Sequence, residues 1–304
     1  MYSRIIVVGS MNMDMVVRTS HIPKPGETVL GDKFFMNPGG KGANQAVTVS
    51  RLGGEVSFIG RIGSDVFGKQ ANQLFDEEGI DTSKLIEDED SPSGIALITF
   101  EETGENSIVV APGANANLDT DDIKPMFEEL DNRAILLMQL EIPYKTVKYA
   151  AEKAKEKSML VIINPAPANH SLSSIYHLID ILTPNVSEAE ILSGLTISDM
   201  NDVKKAAIKL VSQGVRSVII TLGANGALVY DQEEFVHIKS PHVNVVDTTA
   251  AGDVFNGALA VGIAEGKTLV DAVNFACQSA AVSVTKLGAQ SSIPYRNEIL
   301  LNQI

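Results

Sequence analysis

Short apolar runs recur along the chain and alternate with amphipathic segments. The runs are nearly continuous in β-branched and aliphatic residues, which is typical of strands buried on both faces. The amphipathic segments at 41–54, 65–79 and 202–214 end in glycine, a common helix stop. This alternation predicts an α/β fold: a three-layer α/β/α sandwich with a mostly parallel central sheet, in one domain over residues 1–304. The predicted strands lie at 4–9, 55–60, 134–139, 159–164, 179–184 and 216–221.

Two stretches break this alternation. Residues 13–36 alternate apolar and polar side chains around Pro23, Pro25 and Gly26, and residues 94–111 are typical of a hairpin around EETGEN. Because neither stretch contains a crossover helix, we expect a small antiparallel sheet that projects from the main one. A small sheet needs cover on its second face, so we expect a lid over a site, a dimer contact, or both.

Composition restricts the class of ligand. The 304 residues carry a net charge of −14, and no basic stripe is present to bind nucleic acid. Backbone N–H groups can still bind a small anion locally. The single cysteine, Cys277, excludes a disulfide framework within the chain. The apolar run at the N-terminus is too short for a signal peptide or a membrane span, so we expect a cytoplasmic protein.

Two glycine-rich sequences are similar to nucleotide-binding loops without meeting their requirements. GIAEGKT at 262–268 is one residue short of a P-loop and follows a helical pattern where a strand is needed. The first predicted strand is followed by GSMN, which lacks the spacing of the dinucleotide fingerprint. We therefore expect a helix–helix turn at 262–268 and disfavour a nicotinamide enzyme.

The sequence NPGGKGANQA at 37–46 opens a helix at about Gly42, with glycines that let the backbone approach a ligand. Taken alone, it fits a plain turn into a helix equally well. Other polar side chains follow predicted strands, at the edge where parallel sheets bind ligands. Their carboxylates, amides and ammonium group together suit a polyhydroxyl ligand. The candidates are Asn12, Asp14, Gly39, Gly40, Lys41, Asn44 and Glu141.

Two later loops offer groups for a second ligand. Asn185 and Glu188 follow a predicted strand as a loop amide and a first-turn helical acid. The alternative is plain helix capping, with Ser187 as the cap and Glu190 completing a capping box. The next loop has the composition of a hairpin turn with exposed backbone donors, or of a plain turn. Its residues are Thr221, Gly223, Asn225 and Gly226.

The sequence DTTAAGDVFNGALA at 247–260 places Asp253 after three small residues, at the start of an apolar helix. An aspartate is favoured there as a cap, because free N–H groups and the positive end of the helix dipole meet it. Small residues also let several N–H groups converge on one anion. Beside such a nest, an aspartate can take a proton from a hydroxyl while the nest holds a phosphoryl group. Asp253 is therefore a cap or a catalytic base.

Two paired signatures, GGKGANQA and DTTAAGDVFNGAL, stand near the ends of the chain. Before, between and after them come SMNMD, MQLE, NPAPA, TPNVSEAE, TLGANGA and KLGAQSSIP, in that order. Through these segments the whole chain resembles the ribokinase-like carbohydrate kinases. The wider family usually has glycine at the position of Ala250. Members that phosphorylate ribose commonly have alanine there, so Ala250 strengthens the resemblance to those members. The resemblance implies transfer of a phosphoryl group from ATP to O5 of D-ribose, giving ribose 5-phosphate.

The resemblance also implies residue roles. Asp253 would be the base, and Ala250, Ala251 and Gly252 would form the anion hole. The seven candidates from Asn12 to Glu141 would hold the sugar together with Asp253. The ATP contacts would be Asn185, Glu188, Thr221, Gly223, Asn225, Gly226, Gly252 and, near the adenine, Cys277.

The same resemblance implies two cations and a dimer. Glu188 would organise Mg²⁺ and phosphate through water. K⁺ would activate the enzyme by fixing the loop that carries the anion hole. The two lids of a homodimer would pair and exclude water. The K⁺ ligands would be the side chains of Asp247 and Ser292 and the backbone carbonyls of Thr249, Ser283, Lys286 and Gly288.

Other functions stay open at this point. A sugar-phosphate kinase would need more cations near the sugar than Lys41. A fructose kinase remains possible, and a nucleoside kinase would need an apolar clamp, for which Phe34 and Phe35 are candidates. A non-catalytic sugar-binding protein would need neither Asp253 beside a nest nor the loops on the nucleotide side.

Overall fold

The computed structural model describes residue 2 and residues 4–101, 106–130 and 132–301. Within these residues, thirteen strands form one sheet of nine strands and one of four. The large sheet contains β1 (Arg4–Val8), β4 (Val56–Gly63), β5 (Asp81–Asp88), β8 (Ala134–Met138), β9 (Leu160–Ile163), β10 (Ile181–Leu182), β11 (Ser217–Thr221), β12 (Ala227–Asp231) and β13 (Glu234–Ile238). The small sheet contains β2 (Asn12–Thr19), β3 (Lys33–Gly39), β6 (Gly94–Glu101) and β7 (Asn106–Ala111).

Nine α-helices lie within the same described ranges, and short 3₁₀ segments connect some of the elements. None of these helices is long and apolar enough to span a membrane. The helices are α1 (Lys41–Arg51), α2 (Val66–Glu77), α3 (Thr120–Glu129), α4 (Tyr144–Glu156), α5 (Val186–Ser193), α6 (Met200–Ser212), α7 (Ala251–Ala264), α8 (Leu269–Ser283) and α9 (Arg296–Leu301).

The large sheet has the strand order β13-β12-β11-β10-β9-β8-β1-β4-β5. Its strands from β11 to β5 pair in parallel, and β12 and β13 add an antiparallel edge. All six predicted strands are confirmed. The chain leaves β1 toward β4 on one side and returns to β8 on the other, so the connections reverse direction at β1. Ligands bind at such a switch point, beyond the carboxyl ends of the strands.

Helices cover both faces of this sheet, which confirms the predicted sandwich. Apolar residues of α1, α2, α7, α8 and α9 pack on one face, and those of α3, α4, α5 and α6 pack on the other. The helices predicted at 41–54, 65–79 and 202–214 are α1, α2 and α6. The sequence at 262–268 spans the end of α7 and the turn to α8, so the predicted helix–helix turn is confirmed.

The small sheet is present where the two irregular stretches predicted it. It has the order β3-β2-β6-β7. Its outer pairings are antiparallel, but the central pair, β2 and β6, is parallel. The prediction of an antiparallel sheet is therefore wrong for this one pair. The strands β2 and β6 are far apart in sequence and enter the sheet from the same side. Residues 102–105, in the predicted hairpin turn, lie outside the described residues.

Candidate active site

Polar residues follow the parallel strands at their carboxyl ends and meet the start of α7. Gln139, Asn164 and Thr183 stand just beyond β8, β9 and β10, and all three are buried. Beside them lies a cavity of about 240 Å³. Its lining includes Lys41, Asn185, Glu188, Thr221, Gly252 and Asp253. The topology thus brings together residues from five distant segments.

The start of α7 is built to leave backbone N–H groups open. Ala250 precedes the helix in the left-handed conformation, with φ 61° and ψ 4°, which costs an alanine about 1–2 kcal/mol. The N–H of Ala251 closes this turn by donating to the carbonyl of Thr248 at 3.2 Å. A Cβ on Gly252 would meet nothing within 4 Å, so its backbone borders open space. A left-handed residue followed by helical ones has the backbone geometry of an anion-binding nest.

Asp253 does not cap α7. No side-chain hydrogen bond caps this helix, and Ala250 occupies the cap position. The carboxylate of Asp253 points to α1 instead, where it accepts hydrogen bonds from Asn44 Nδ2 at 2.9 Å and Gln45 Nε2 at 3.1 Å. Burial raises the pKa of Asp253, against the lowering effects of Lys41, Asn44 and Gln45. A buried carboxylate with a raised pKa suits proton transfer better than capping.

Lys41 lies among carboxylates at the first turn of α1. Its Nζ is 3.8 Å from Oε1 of Glu141, and its backbone N–H donates to Oε2 of Glu141 at 3.0 Å. Oε2 also accepts from the hydroxyl of Ser10 at 2.6 Å. Burial lowers the pKa of Lys41, but Asp253, Glu141, Glu188 and Asp14 raise it by more. Lys41 therefore stays charged.

Asp14 on β2 faces the same region. Burial, Glu141 and Asp253 raise its pKa from 3.8 to about 7. A Cβ on Gly39 would overlap the Asp14 carboxylate, and a Cβ on Gly40, which has φ +87°, would lie 2.7 Å from the backbone nitrogen of Asn12. These glycines are needed for the close approach of β3 and α1 to β2.

The side-chain amides of Asn12 and Asn44 differ in whether their oxygen has a hydrogen-bond partner. The Oδ1 of Asn12 accepts from Asn115 Nδ2 at 2.9 Å. By contrast, Oδ1 of Asn44 is buried without a hydrogen-bond partner in the described part of the chain. An unpaired buried oxygen of this kind is costly, and a ligand hydroxyl would satisfy it.

Asn185 and Glu188 are the capping box at the start of α5. Asn185 Oδ1 accepts from the N–H of Glu188 at 2.8 Å, and Glu188 Oε2 accepts from the N–H of Asn185 at 2.9 Å. The alternative box of Ser187 and Glu190 is wrong by two residues, because the strand ends early enough for Asn185 to take the extended cap conformation. Both Asn185 and Glu188 still line the cavity. Burial raises the pKa of Glu188.

A second cavity of about 380 Å³ continues from Gly252 along α7 and α8. Its lining is mainly apolar and includes Phe255, Cys277, Val243, Val245, Gly223 and Gly226. Burial raises the pKa of Cys277 to about 12, so it stays a thiol in the wall. A Cβ on Gly226 would lie against the backbone of Ile238 to Ser240, so this glycine also serves β12–β13 packing. Asn225 is not in the wall; its backbone carbonyl accepts from His237.

The predicted K⁺ ligands lie in two segments of the chain, 247–249 and 283–292. Asp247 joins two loops: its Oδ1 accepts from the N–H and hydroxyl of Thr249, and its Oδ2 accepts from the N–H of Gly288 at 2.9 Å. Ser283 and Ser292 are buried, and each hydroxyl donates to a nearby backbone carbonyl. The ammonium of Lys286 pairs with Glu298, which leaves the carbonyl as the group it could offer a cation. The described residues contain no cluster of three His, Cys, Asp or Glu side chains fit to hold a metal ion.

Comparison with known proteins decides the family. The model of the pfkB family carbohydrate kinases matches residues 3–296. The chain belongs to this family. It is 43% identical to a ribokinase of Haemophilus influenzae over 99% of this chain and 98% of that protein. It is also similar to a crystal structure of ribokinase from Thermotoga maritima (42% identity, TM-score 0.90, 99% of both chains). An Arabidopsis thaliana ribokinase complexed with ribose and ATP has 32% identity and a TM-score of 0.89, covering 99% of this chain and 98% of that one.

As a carbohydrate kinase, a phosphotransferase, the protein needs an acceptor site next to a nucleotide site. Of the predicted residues, Lys41 and Asp253 from the acceptor set line one cavity together with Asn185, Glu188, Thr221 and Gly252 from the nucleotide set. Sequence reasoning missed Gln45, Gln139 and Asn115. Gln139 ends the predicted strand AILLMQ, so its place at the carboxyl edge was a usable signal. Gln45 had none, because an amide inside a helix gives no sign of which side it faces.

The raised pKa of Asp14 makes a prediction about stability. Between about pH 4 and pH 7 the folded protein keeps a proton on Asp14 that the unfolded chain has released, so the free energy of unfolding falls as pH rises. Asp14→Asn removes this effect. Relative to wild type, the free energy of unfolding of the variant should be about 2 kcal/mol higher at pH 8 than at pH 5. Urea unfolding at the two pH values measures this difference. The exposed Asp76→Asn is the control, and an equal effect of Asp14→Asn at both pH values would contradict the prediction.

Proposed function

We propose that this carbohydrate kinase is a ribokinase, which transfers the γ-phosphoryl group of ATP to O5 of D-ribose. The observation that carries this is the position of Asp253. Its carboxylate lies at the head of α7, between the hydroxyl-binding groups on α1 and β2 and the N–H groups of the nest. The likeness to ribokinases over 99% of the chain supports the choice of ribose.

The side chains on the acceptor side suit a neutral sugar. Carboxylates of Asp14 and Glu141 accept hydroxyl hydrogens, and the free Oδ1 of Asn44 accepts another. We infer that they orient the sugar with O5 toward Asp253. Asp253 then accepts the O5 proton as O5 attacks the γ-phosphorus, and the bond to the β,γ-bridging oxygen breaks. The N–H groups at Gly252 and Asp253 stabilise the charge on the transferred group.

The nucleotide would lie in the cavity of about 380 Å³, with its phosphates at Gly252. Glu188 uses one oxygen on its capping bond, which leaves the other for a hydrated Mg²⁺. One carboxylate with phosphates and water suits Mg²⁺, which would neutralise phosphate charge during transfer. The ATP contacts, the Mg²⁺ role and a cytoplasmic location stay predictions.

A K⁺ site at Asp247, Thr249 and Gly288 fits the oxygen atoms present. The hydroxyl of Ser292, the serine side chain of the predicted set, donates its proton to a carbonyl, so its lone pairs remain available to a cation. A cation there would brace residues 247–249, directly before the nest. We infer that K⁺ activates the enzyme through this loop.

The small sheet supports the proposed homodimer. Its strand register places Met36, Met15, Leu97 and Val109 side by side on one face. Met36, Leu97 and Val109 are 46–63% exposed, as is Phe34 on the same face. Asp14 belongs to the opposite face, toward the site. We infer that the apolar outer face is covered by the small sheet of a second copy.

A nucleoside is the second candidate acceptor. A cavity of about 310 Å³ lies beneath the small sheet, next to Asp14 and Asn37. Phe35 and Phe100 line it, whereas Phe34 faces outward. An apolar group attached to the sugar would fit there.

The first prediction of this proposal concerns the acceptor. ADP release should be fastest with D-ribose among ribose, 2-deoxyribose, fructose, adenosine and sugar phosphates. Asp253→Asn should lower kcat about 10²–10⁴-fold, while ribose and ATP still bind by calorimetry. A higher kcat/KM for adenosine than for ribose would favour the nucleoside as acceptor. Near-native turnover of Asp253→Asn would show that Asp253 is not the base.

The second prediction concerns the monovalent cation. Exchanging K⁺ for Na⁺ at constant ionic strength should lower kcat, because the smaller, more strongly hydrated Na⁺ fits carbonyl ligands less well. Asp247→Ala should remove most of the difference between the two salts. Equal rates of the wild-type enzyme in K⁺ and Na⁺ would exclude the site.

The third prediction concerns assembly. Light scattering should give twice the chain mass of 32.5 kDa for the wild type. The double variant Phe34→Lys, Val109→Lys should give a single chain mass, since it places charge on the outer face. Ile191→Lys, which alters an exposed apolar residue on α5, is the matched control. A dimer that survives the double variant would place the interface elsewhere.

A further inference from the structure

The α1 face that meets α7 carries a buried amide outside both ligand cavities. Gln45 is 0% exposed, as is Gln139 behind it, and neither lines the cavity at Asp253. We propose that Gln45 is a positioning residue that holds Asp253 for proton transfer, and that Gln139 holds Gln45. The proposal deepens the proposed function and depends on Asp253 being its base.

The hydrogen bonds fix the direction of both amides. Gln45 Nε2 donates to Oδ1 of Asp253 at 3.1 Å and to Oδ1 of Asn164 at 3.3 Å. Because an ionised carboxylate only accepts, the nitrogen of Gln45 must face Asp253. Its Oε1 then faces Gln139, whose Nε2 donates to it at 2.6 Å. The carboxylate thus orders two successive side chains.

This arrangement has a cost to stability. The remaining oxygen of Gln139 is buried and has no hydrogen-bond partner in the described residues. An unpaired buried carbonyl destabilises the fold, and an apolar side chain of similar volume would avoid this. An apolar residue at 139 would, however, leave Oε1 of Gln45 without its donor, so the amide at 139 satisfies and orients Gln45 while its own oxygen stays unpaired.

The contact requires a close approach of the two helices. A Cβ on Gly257, one turn after Asp253, would lie 2.6 Å from Thr48 and 2.9 Å from the carbonyl oxygen of Gln45. With glycine there, α1 comes near enough for both amides to reach the carboxylate. Asn44 then holds Oδ2 and Gln45 holds Oδ1, so the carboxylate cannot rotate freely.

Removing the Gln45 donor should change the charge balance at Asp253. Burial raises the pKa of Asp253, and the Asn44 and Gln45 hydrogen bonds lower it. The charged groups that face it are Lys41 from α1, Glu141 after β8, Asp14 from β2 and Glu188 from α5. Without Gln45, the pKa of Asp253 should rise further, and the base should be ionised only at higher pH.

The test is kcat against pH, at saturating ribose and ATP, for Gln45→Met, Gln139→Met and the double variant. In Gln45→Met the acidic limb should move up by about one pH unit, a tenfold loss on that limb. The KM for ribose should stay near the wild-type value, because Gln45 does not border the cavity. Gln139→Met should shift the limb less, and the double variant should match Gln45→Met, since Gln139 acts through Gln45.

Val47→Ala is the control, because it weakens the buried face of α1 without removing a donor; it should lower Tm and leave the pH profile unchanged. An unshifted limb in Gln45→Met, or additive shifts in the double variant, would overturn the proposal. If Gln45→Met does not fold, Gln139→Met decides, because Gln45 is retained there. Asp253→Asn separates the two hypotheses: if it keeps turnover, the proposed base fails, whereas if it is inactive and Gln45→Met is unshifted, only the positioning role fails.

Discussion

A carboxylate that must stay ionised where little water reaches it is the constraint on which this site depends. Asp253 is countered by the ammonium of Lys41 and by two amide donors. Glu141, and Asp14 above its pKa of about 7, add negative charge on the acceptor side, which favours a neutral, hydroxyl-rich ligand over an anionic one. Phosphate charge is instead left to the start of α7, where N–H groups are open. In the proposed site, the charges would therefore separate a half for hydroxyls from a half for phosphates.

Small residues allow the elements that carry the site to pack close together. A Cβ on Gly42 would lie 2.6 Å from the backbone nitrogen of Ser10, and a Cβ on Gly257 would meet Thr48 on α1. The first contact seats α1 on the end of β1, and the second seats α7 on α1. Two amides of α1 thus reach the Asp253 carboxylate on α7. A larger residue at either position would push the packed elements apart and lengthen the hydrogen bonds that define the site.

The sequence predicts most of the fold because buried parallel strands and amphipathic helices have clear periodicities. It predicts the rim of the site well, since polar residues after apolar strands must lie at one edge. It does less well where partners are distant in sequence. The cap of α5 is Asn185 rather than Ser187, the pair β2–β6 is parallel, and Asp253 turns from its own helix to α1. Each depends on packing that no local pattern records.

The alternation of side chains along β2 has one more consequence. Asp14 faces the acceptor site, and its neighbour Met15 belongs to the row on the outer apolar face. The thickness of a single backbone therefore separates a group that would contact the sugar from a surface that would contact a second subunit. A movement of β2 caused by a ligand on one face would also move the other face. Thermodynamic linkage would make the effect on the two binding affinities reciprocal. In the proposed dimer, substrate affinity and subunit affinity would both depend on the same eight-residue strand.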